Sequence, residues 1–488
     1  MPSFDGLSRS LGVLAAILGT FAAGVYWRAG LTLSHYDAKA HLVVARRIFD
    51  SLTPSWEQIG AVWLPLPHII NAIPVQIDFF YRTGAFAIAV SIASFAVTVA
   101  CVSAIVRSLT GSRTGAILAA ALFALNPNVL YLQSTPMTEP LLFALTSLVV
   151  VHLIQWAKSD LPAARPVVGW TIVAACLTRY EAWPIVGAAV VAAAFFKWRN
   201  GLPAVAVIHE AARLAVYPLA TVIFFMSMSF ASTGEWFVTG GFYVPDPKLQ
   251  GQLSAVYQAI RDGLIDLSGS RFVTATTYAI PLLAIAAAIR RNWSGLVMPI
   301  ALVASVALPF YAFYSGHPFR IRYEVPLILG GAACIGAAVS LLRFAAPLAA
   351  IPLLVGVVLQ ASPFDRRAPM VVEAQLDQNV IARRIVTECL KRSYDGTTIM
   401  ASMGSLAHYM QELSLAGFDL DVFIHEGSGP VWQQAFYFEP SLFAGWVLVE
   451  EAAEGGDMLY QKQKLWPGFL AAYDRVCEGG NVALYKRR

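Results

Sequence analysis

Charge is what this chain has least of. Only 13% of its 488 residues are Asp, Glu, Lys or Arg, against 57% apolar residues and a mean hydropathy of +0.61. A soluble core has no room for that much apolar surface, so the excess must face lipid and the chain reads as a multi-spanning membrane protein. The formal net charge of +4 is small for the length, and the basic residues are scattered, which excludes a nucleic-acid footprint. Cysteine is scarce as well. Of five, Cys101, Cys176 and Cys334 lie inside apolar runs, and no C-x-x-C exists; neither a zinc site nor a disulfide framework can be read. No G-x-G-x-x-G is present, so a nucleotide cofactor has no support. No internal repeat is visible either, which weighs against a transporter built from two related halves.

What is plentiful is apolar sequence in runs of about 20 residues, the length a helix needs to cross a bilayer with every backbone amide satisfied internally. Eleven segments meet the test: residues 11–32, 83–106, 114–132, 137–157, 166–182, 183–197, 212–231, 272–289, 295–314, 324–342 and 345–361. The fifth and sixth are divided only by "TRYE" and Pro184. The start of the chain reads as a signal anchor rather than a cleaved signal peptide. Arg9, Arg107 and Arg113, Lys158 and Arg165, Lys197 and Arg199, Arg290 and Arg291, and Arg343 fall in alternate short connections, which the positive-inside rule places in the cytoplasm. The remaining connections then face outward, together with the tail. A transmembrane part of residues 1–361, with a long first outer loop at 33–82, is thus followed by a tail of residues 362–488. There, "TTIMAS", "DVFIHE", "GWVLVEE" and "NVALYKRR" read as strands between helical stretches, a small extracytoplasmic α/β domain.

Polarity concentrates on the outer side. "SHYDAKAHLVVARRIFD" carries Asp37 and His41 four residues apart, one face of a helix, with Lys39 between them; Leu42, Val43, Ile48 and Phe49 would equally suit an interfacial amphipathic helix. Glu139 in "TPMTEP" stands where the fourth span begins, a favourable place for a carboxylate at a helix N-terminus. Arg179 and Glu181 in "LTRYEAWP" sit so close to apolar sequence that they must pair or bind something. Arg320 and Arg322 in "GHPFRIRYE" precede the tenth span; in an extended turn both point the same way, bordered by His317 and Tyr323, and snorkelling to lipid phosphates is the simpler alternative.

The combination of "DAKAHLVVARR" in a long first outer loop, "MTEPLLF" at the second outer turn, "RIRY" late in the bundle and an α/β tail resembles the GT-C superfamily of membrane glycosyltransferases, which includes the protein O-mannosyltransferases and the lipid A aminoarabinose transferases. The resemblance implies a sugar donor on a polyprenyl phosphate, an acceptor outside the cytoplasm, most plainly at a bacterial inner membrane, and Asp37 as the catalytic base. Lys39, His41, Glu139, Arg179, Glu181, His317, Arg320, Arg322 and Tyr323 are the corresponding candidates for substrate binding. The chemistry asks for the same parts. Breaking an anomeric C–O bond leaves a lipid phosphate that needs cations, and the acceptor must lose a proton. His35, Asp37, His41 and Glu139 also offer metal-ligating atoms for a divalent ion, in a spacing that matches no standard motif. One acid in the first loop, Asp37 followed by Ala38, departs from the paired acids of the O-mannosyltransferases. The rival classes are a transporter or flippase of lipid-linked sugars and a non-enzymatic scaffold.

Overall fold

The computed structural model describes residues 4–237, 245–375 and 379–488. Residues 240–244 of the "GGFYVPDPK" stretch and the middle of the long helical run predicted over 371–392 lie outside the described residues. The chain divides into two compact units. One comprises Met1–Ala29, Ile88–Ser227 and Pro245–Val372; the other comprises Gly30–Ala87, Met228–Val244 and Glu373–Arg488.

The fold is a polytopic helical membrane protein with a small C-terminal sheet, as the sequence led one to expect. Among the described residues, eight helical stretches are long and apolar enough to cross a membrane: Gly6–Arg28, Ala85–Thr110, Glu139–Lys158, Ala204–Thr233, Ser270–Ile289, Arg291–Tyr314, Ile321–Ser340 and Arg343–Gln360. The count of eleven is therefore not reached. The segment predicted at 114–132 is cut short where Asn126 caps a new helix at Pro127, leaving Arg113–Ala124 with 12 residues, about 18 Å at 1.5 Å per residue. The next shortfall, Pro166–Cys176, ends before "TRYE" with 11 residues. Ala182–Arg199 is apolar through most of its 18 residues but closes on Lys197 and Arg199.

Small residues let helices of the first unit approach closely, the device used where lipid gives no hydrophobic drive. A Cβ added to Gly336 would lie 2.5 Å from the Gly115 carbonyl oxygen. Helices Arg113–Ala124 and Pro326–Ser340 touch through their backbones there.

Among the described residues of the second unit five strands form one mixed sheet: β1 (Ile399–Ala401), β2 (Phe423–Ile424), β3 (Trp446–Glu450), β4 (Tyr473–Gly479) and β5 (Val482–Arg487). Their order is β2-β1-β3-β5-β4. β1 runs parallel to β2 and β3, while β5 pairs antiparallel with β3 and β4. The four strands expected from apolar runs are present. β4 was not foreseen because "YDRVCEG" is an edge strand whose side chains are mostly exposed, so it lacks the apolar alternation that marks a strand.

The first-loop residues Ala40, Leu42, Val43, Val75 and Tyr81 share one buried cluster with Ile399, Leu406, Phe423, Trp446 and Leu484. That cluster decides the character of the opening stretch. Tyr36–Arg46 is a helix with every residue from Asp37 onward buried, not an amphipathic helix with a wet face. A disulfide that could not be read from the sequence is present: Cys389, on the helix Asn379–Ser393, is bonded to Cys477 of β4, 88 residues away. The helix packs on that strand, a proximity no local spacing announces.

Candidate active site

The candidate residues fall into two groups, one in each unit. In the first unit Glu139 is the first residue of the helix Glu139–Lys158 and is fully buried. Its Oε1 lies 3.1 Å from Arg179 Nη1 and 3.3 Å from Arg322 Nε. These are close ion-pair contacts rather than aligned hydrogen bonds, since both carboxylate oxygens lack a hydrogen-bond partner among the described residues. Arg179 also donates from Nη1 to Thr138 Oγ1 at 2.9 Å, from Nη2 to Glu181 Oε1 at 2.7 Å, and from Nε to both Glu181 oxygens at 3.1 and 3.2 Å. The Arg–Glu pairing that burial demanded is thus present, and it extends to Glu139. Two carboxylates and two guanidiniums balance one another. Arg179 spends its donors on protein groups, so its work is to hold Glu139 and Glu181 in place.

The turn before the tenth expected span differs from expectation. Arg320 is extended, but Ile321–Glu324 forms a 3₁₀ turn, in which residues three apart align rather than residues two apart. The shared facing of Arg320 and Arg322 therefore does not follow from period two. Arg322 is buried against Glu139, whereas Arg320 is half-exposed. His317 Nδ1 lies 2.7 Å from the Pro318 carbonyl, and Tyr323 Oη lies 3.3 Å from His317 Nε2. Because a carbonyl oxygen only accepts, Nδ1 carries a hydrogen.

Glu324 escaped the sequence reading although it ends the same motif. It is fully buried, and neither oxygen has a hydrogen-bond partner among the described residues. A Cβ on Gly263 would fall 2.9 Å from its carboxyl carbon, so any larger residue there would have to push the carboxyl or the Phe319 ring aside.

In the second unit His35 caps the helix Tyr36–Arg46, its Nδ1 accepting from Asp37 N at 3.1 Å while Nε2 lies 3.5 Å from Glu373. Lys39 Nζ meets Glu412 Oε1 at 2.6 Å, and Arg383 donates to the same carboxylate at 2.9 and 3.1 Å. Burial raises the Glu412 pKa, but the bond from Arg383 and the charge of Lys39 outweigh it and hold the carboxyl below its ordinary value. Asp37 and His41 sit one turn apart on this helix, as their spacing required. His41 Nδ1 lies 3.1 Å from Nε2 of His68, a histidine whose sequence surroundings gave no signal. Among the described residues no three His, Cys, Asp or Glu side chains gather as a metal site.

A polytopic helical bundle with a buried Arg–Glu cluster at helix ends, and a second unit of mixed sheet and helices that carries the first-loop helix, make up the fold of this chain. Solved structures of ArnT from Cupriavidus metallidurans share it. The apo structure superposes with a TM-score of 0.59 at 12% identity, and the structure bound to undecaprenyl phosphate with 0.56 at 13%; each comparison covers 96% of this chain and 97% of the other. No protein-family model and no curated protein matches the sequence. At such identity the likeness speaks for the fold.

Proposed function

We propose that the protein is a membrane glycosyltransferase that moves a hexosyl or pentosyl group from a polyprenyl-phosphate donor to an extracytoplasmic lipid, glycan or protein. The observation that carries this reading is the fold likeness over 96% of the chain to ArnT, one of whose structures holds undecaprenyl phosphate. Asp37 serves as the base that takes the proton of the acceptor hydroxyl or amine as the anomeric C–O bond to phosphate breaks. The departing lipid phosphate keeps the bonding electrons and is met by Arg322 and Arg320, whose planar forks suit its oxygens. Arg179 is less suited, its donors being engaged by Thr138, Glu139 and Glu181. Glu139 and Glu181 orient these cations and accept from sugar hydroxyls; Lys39, His41, His317 and Tyr323 complete the substrate contacts.

Residues 1–361 would form the transmembrane catalytic part and 362–488 the extracytoplasmic domain. The Cys389–Cys477 disulfide supports that sidedness, since disulfides persist in oxidising compartments such as the bacterial periplasm. The test is to incubate the purified protein with radiolabelled polyprenyl-phosphate sugars and to follow transfer or slow hydrolysis. Sugar released or transferred supports the reading. Movement of intact donor across vesicles without cleavage would make the protein a flippase, and binding without either would make it a scaffold.

A further inference from the structure

The second unit carries an open cleft of about 370 Å³ that involves none of the site residues above. The helix Met458–Leu465 supplies Tyr460, Gln463 and Lys464 to it, β4 supplies Arg475, and β5 supplies Tyr485, a floor residue only 7% exposed. Glu451, the residue after β3, closes one side. The charges cancel there. Arg475 Nη2 lies 2.8 Å from Glu451 Oε2 and pairs with Glu478 as well, and Lys464 brings the second cation to those two carboxylates. A phosphate or carboxylate ligand would meet a guanidinium already engaged by two acids and would gain little. The walls instead combine flat, forked groups, namely a carboxylate, an amide and a guanidinium, with two phenol rings. Lys464 Nζ lies 4.2 Å from the Tyr460 ring, and Tyr485 Oη lies 3.5 Å from Glu451 Oε1. The rim continues in aromatic side chains. Trp466, beside Pro467 of the cleft wall, is 41% exposed and Tyr437 63%, and Lys462 Nζ stands 5.7 and 5.4 Å from their ring centroids.

We propose that this cleft binds a neutral saccharide unit, with its hydroxyls on Glu451, Gln463 and Arg475 and its C–H face against Tyr460 and Tyr485, and that Trp466 and Tyr437 carry further units of the same glycan. Neighbouring hydroxyls of a sugar ring each donate and accept, which suits forked groups that present two oxygens or two N–H groups side by side. The apolar face of the ring needs a flat partner, and a tyrosine or tryptophan offers one with a polar edge. A site of this volume that sets a few oriented polar groups against aromatic walls is of the usual build for a small ligand. The inference deepens the transferase reading, narrowing its acceptor to one that carries a glycan, and rests on that reading for the part the glycan plays. Binding itself does not depend on it.

Full-length protein in phospholipid nanodiscs, free of sugar-based detergent, is titrated by saturation-transfer NMR with glucose, galactose, mannose and N-acetylglucosamine and with a disaccharide of each. At least one should bind with a millimolar Kd, more tightly as the disaccharide, and raising the salt tenfold should change the affinity less than about twofold because the ligand is neutral. Gln463→Trp, which fills the cleft, should weaken binding at least tenfold, and Trp466→Ala should remove only the advantage of the disaccharide. A nitroxide on Leu465→Cys, a position 86% exposed at the end of the same helix, should broaden the signals of the bound sugar with every cleft residue unchanged, the free cysteines of the chain being buried. That measurement stands even where Gln463→Trp does not fold. Binding of none of these sugars, binding that survives Gln463→Trp in folded protein, or sugar signals untouched by the nitroxide would each overturn the proposal. So would binding of inorganic phosphate that is lost in Lys464→Gln, which would make the cleft an anion site. Saccharide binding without sugar transfer from a polyprenyl-phosphate donor would instead sink the transferase reading and leave the cleft assignment standing.

Discussion

Removing the Arg179 guanidinium tests whether the buried cluster holds the first unit together. Arg179 is 10% exposed, Glu139 0% and Glu181 1%, so Arg179→Met leaves Glu181 buried without its cation and Glu139 with Arg322 alone. Breaking a buried pair by deleting one partner costs about 3–5 kcal/mol, because the orphaned charge keeps its desolvation penalty. Arg179→Lys should cost roughly half as much, since one ammonium cannot both meet Glu139 and Thr138 and grip Glu181 through a fork. The double variant Arg179→Met/Glu181→Gln removes the orphan, and it should be more stable than the single variant by about 2 kcal/mol. Reversible unfolding by dodecyl sulfate titration in mixed micelles measures these differences. A single variant within about 1 kcal/mol of wild type, or a double variant no better than the single, would refute the reasoning.

The remaining expectations are more local. Asp37→Asn should insert and fold normally while transfer drops by about 10²–10⁴, the usual worth of a proton-transferring side chain; near-normal rates would remove Asp37 from the chemistry. Arg322→Lys and Arg320→Lys keep charge and lose the fork, so donor-dependence curves should weaken in at least one of them, and unchanged curves in both would leave these residues as anchors. For His68 the folded pKa of about 3 lies below the ordinary 6.5, so its stabilisation is complete above pH 6.5 and is lost as pH falls towards 3. Acid unfolding of the second unit, followed by tryptophan fluorescence, should therefore be shallower in His68→Gln, by up to about 4 kcal/mol near pH 3. Cys389→Ser should lower the stability of that unit by about 2–4 kcal/mol, and a maleimide should label Cys389 in the wild type only after reduction; labelling beforehand would contradict the bond.

The sequence by itself determined the class of protein and the placement of its polar clusters. Scarce charge and long apolar runs admit no environment but a bilayer, and the positions of Glu139, Arg179, Glu181 and Arg322 at helix ends follow from where those runs stop. The Arg179–Glu181 pairing was legible because the two are neighbours in the chain and burial leaves them no other economy. The strands β1, β2, β3 and β5 were legible because each is an apolar run bounded by turns. Tertiary structure decided the rest. Glu139 receives Arg322 across 183 residues of chain, Cys389 meets Cys477 across 88, and the first-loop helix is buried on all sides among residues from the end of the chain. None of these has a periodicity or spacing to mark it, because each joins residues far apart in the chain. His68 shows the difference most plainly: its own neighbours in sequence are apolar and prolines, and only the packing of two helices sets its Nε2 against His41.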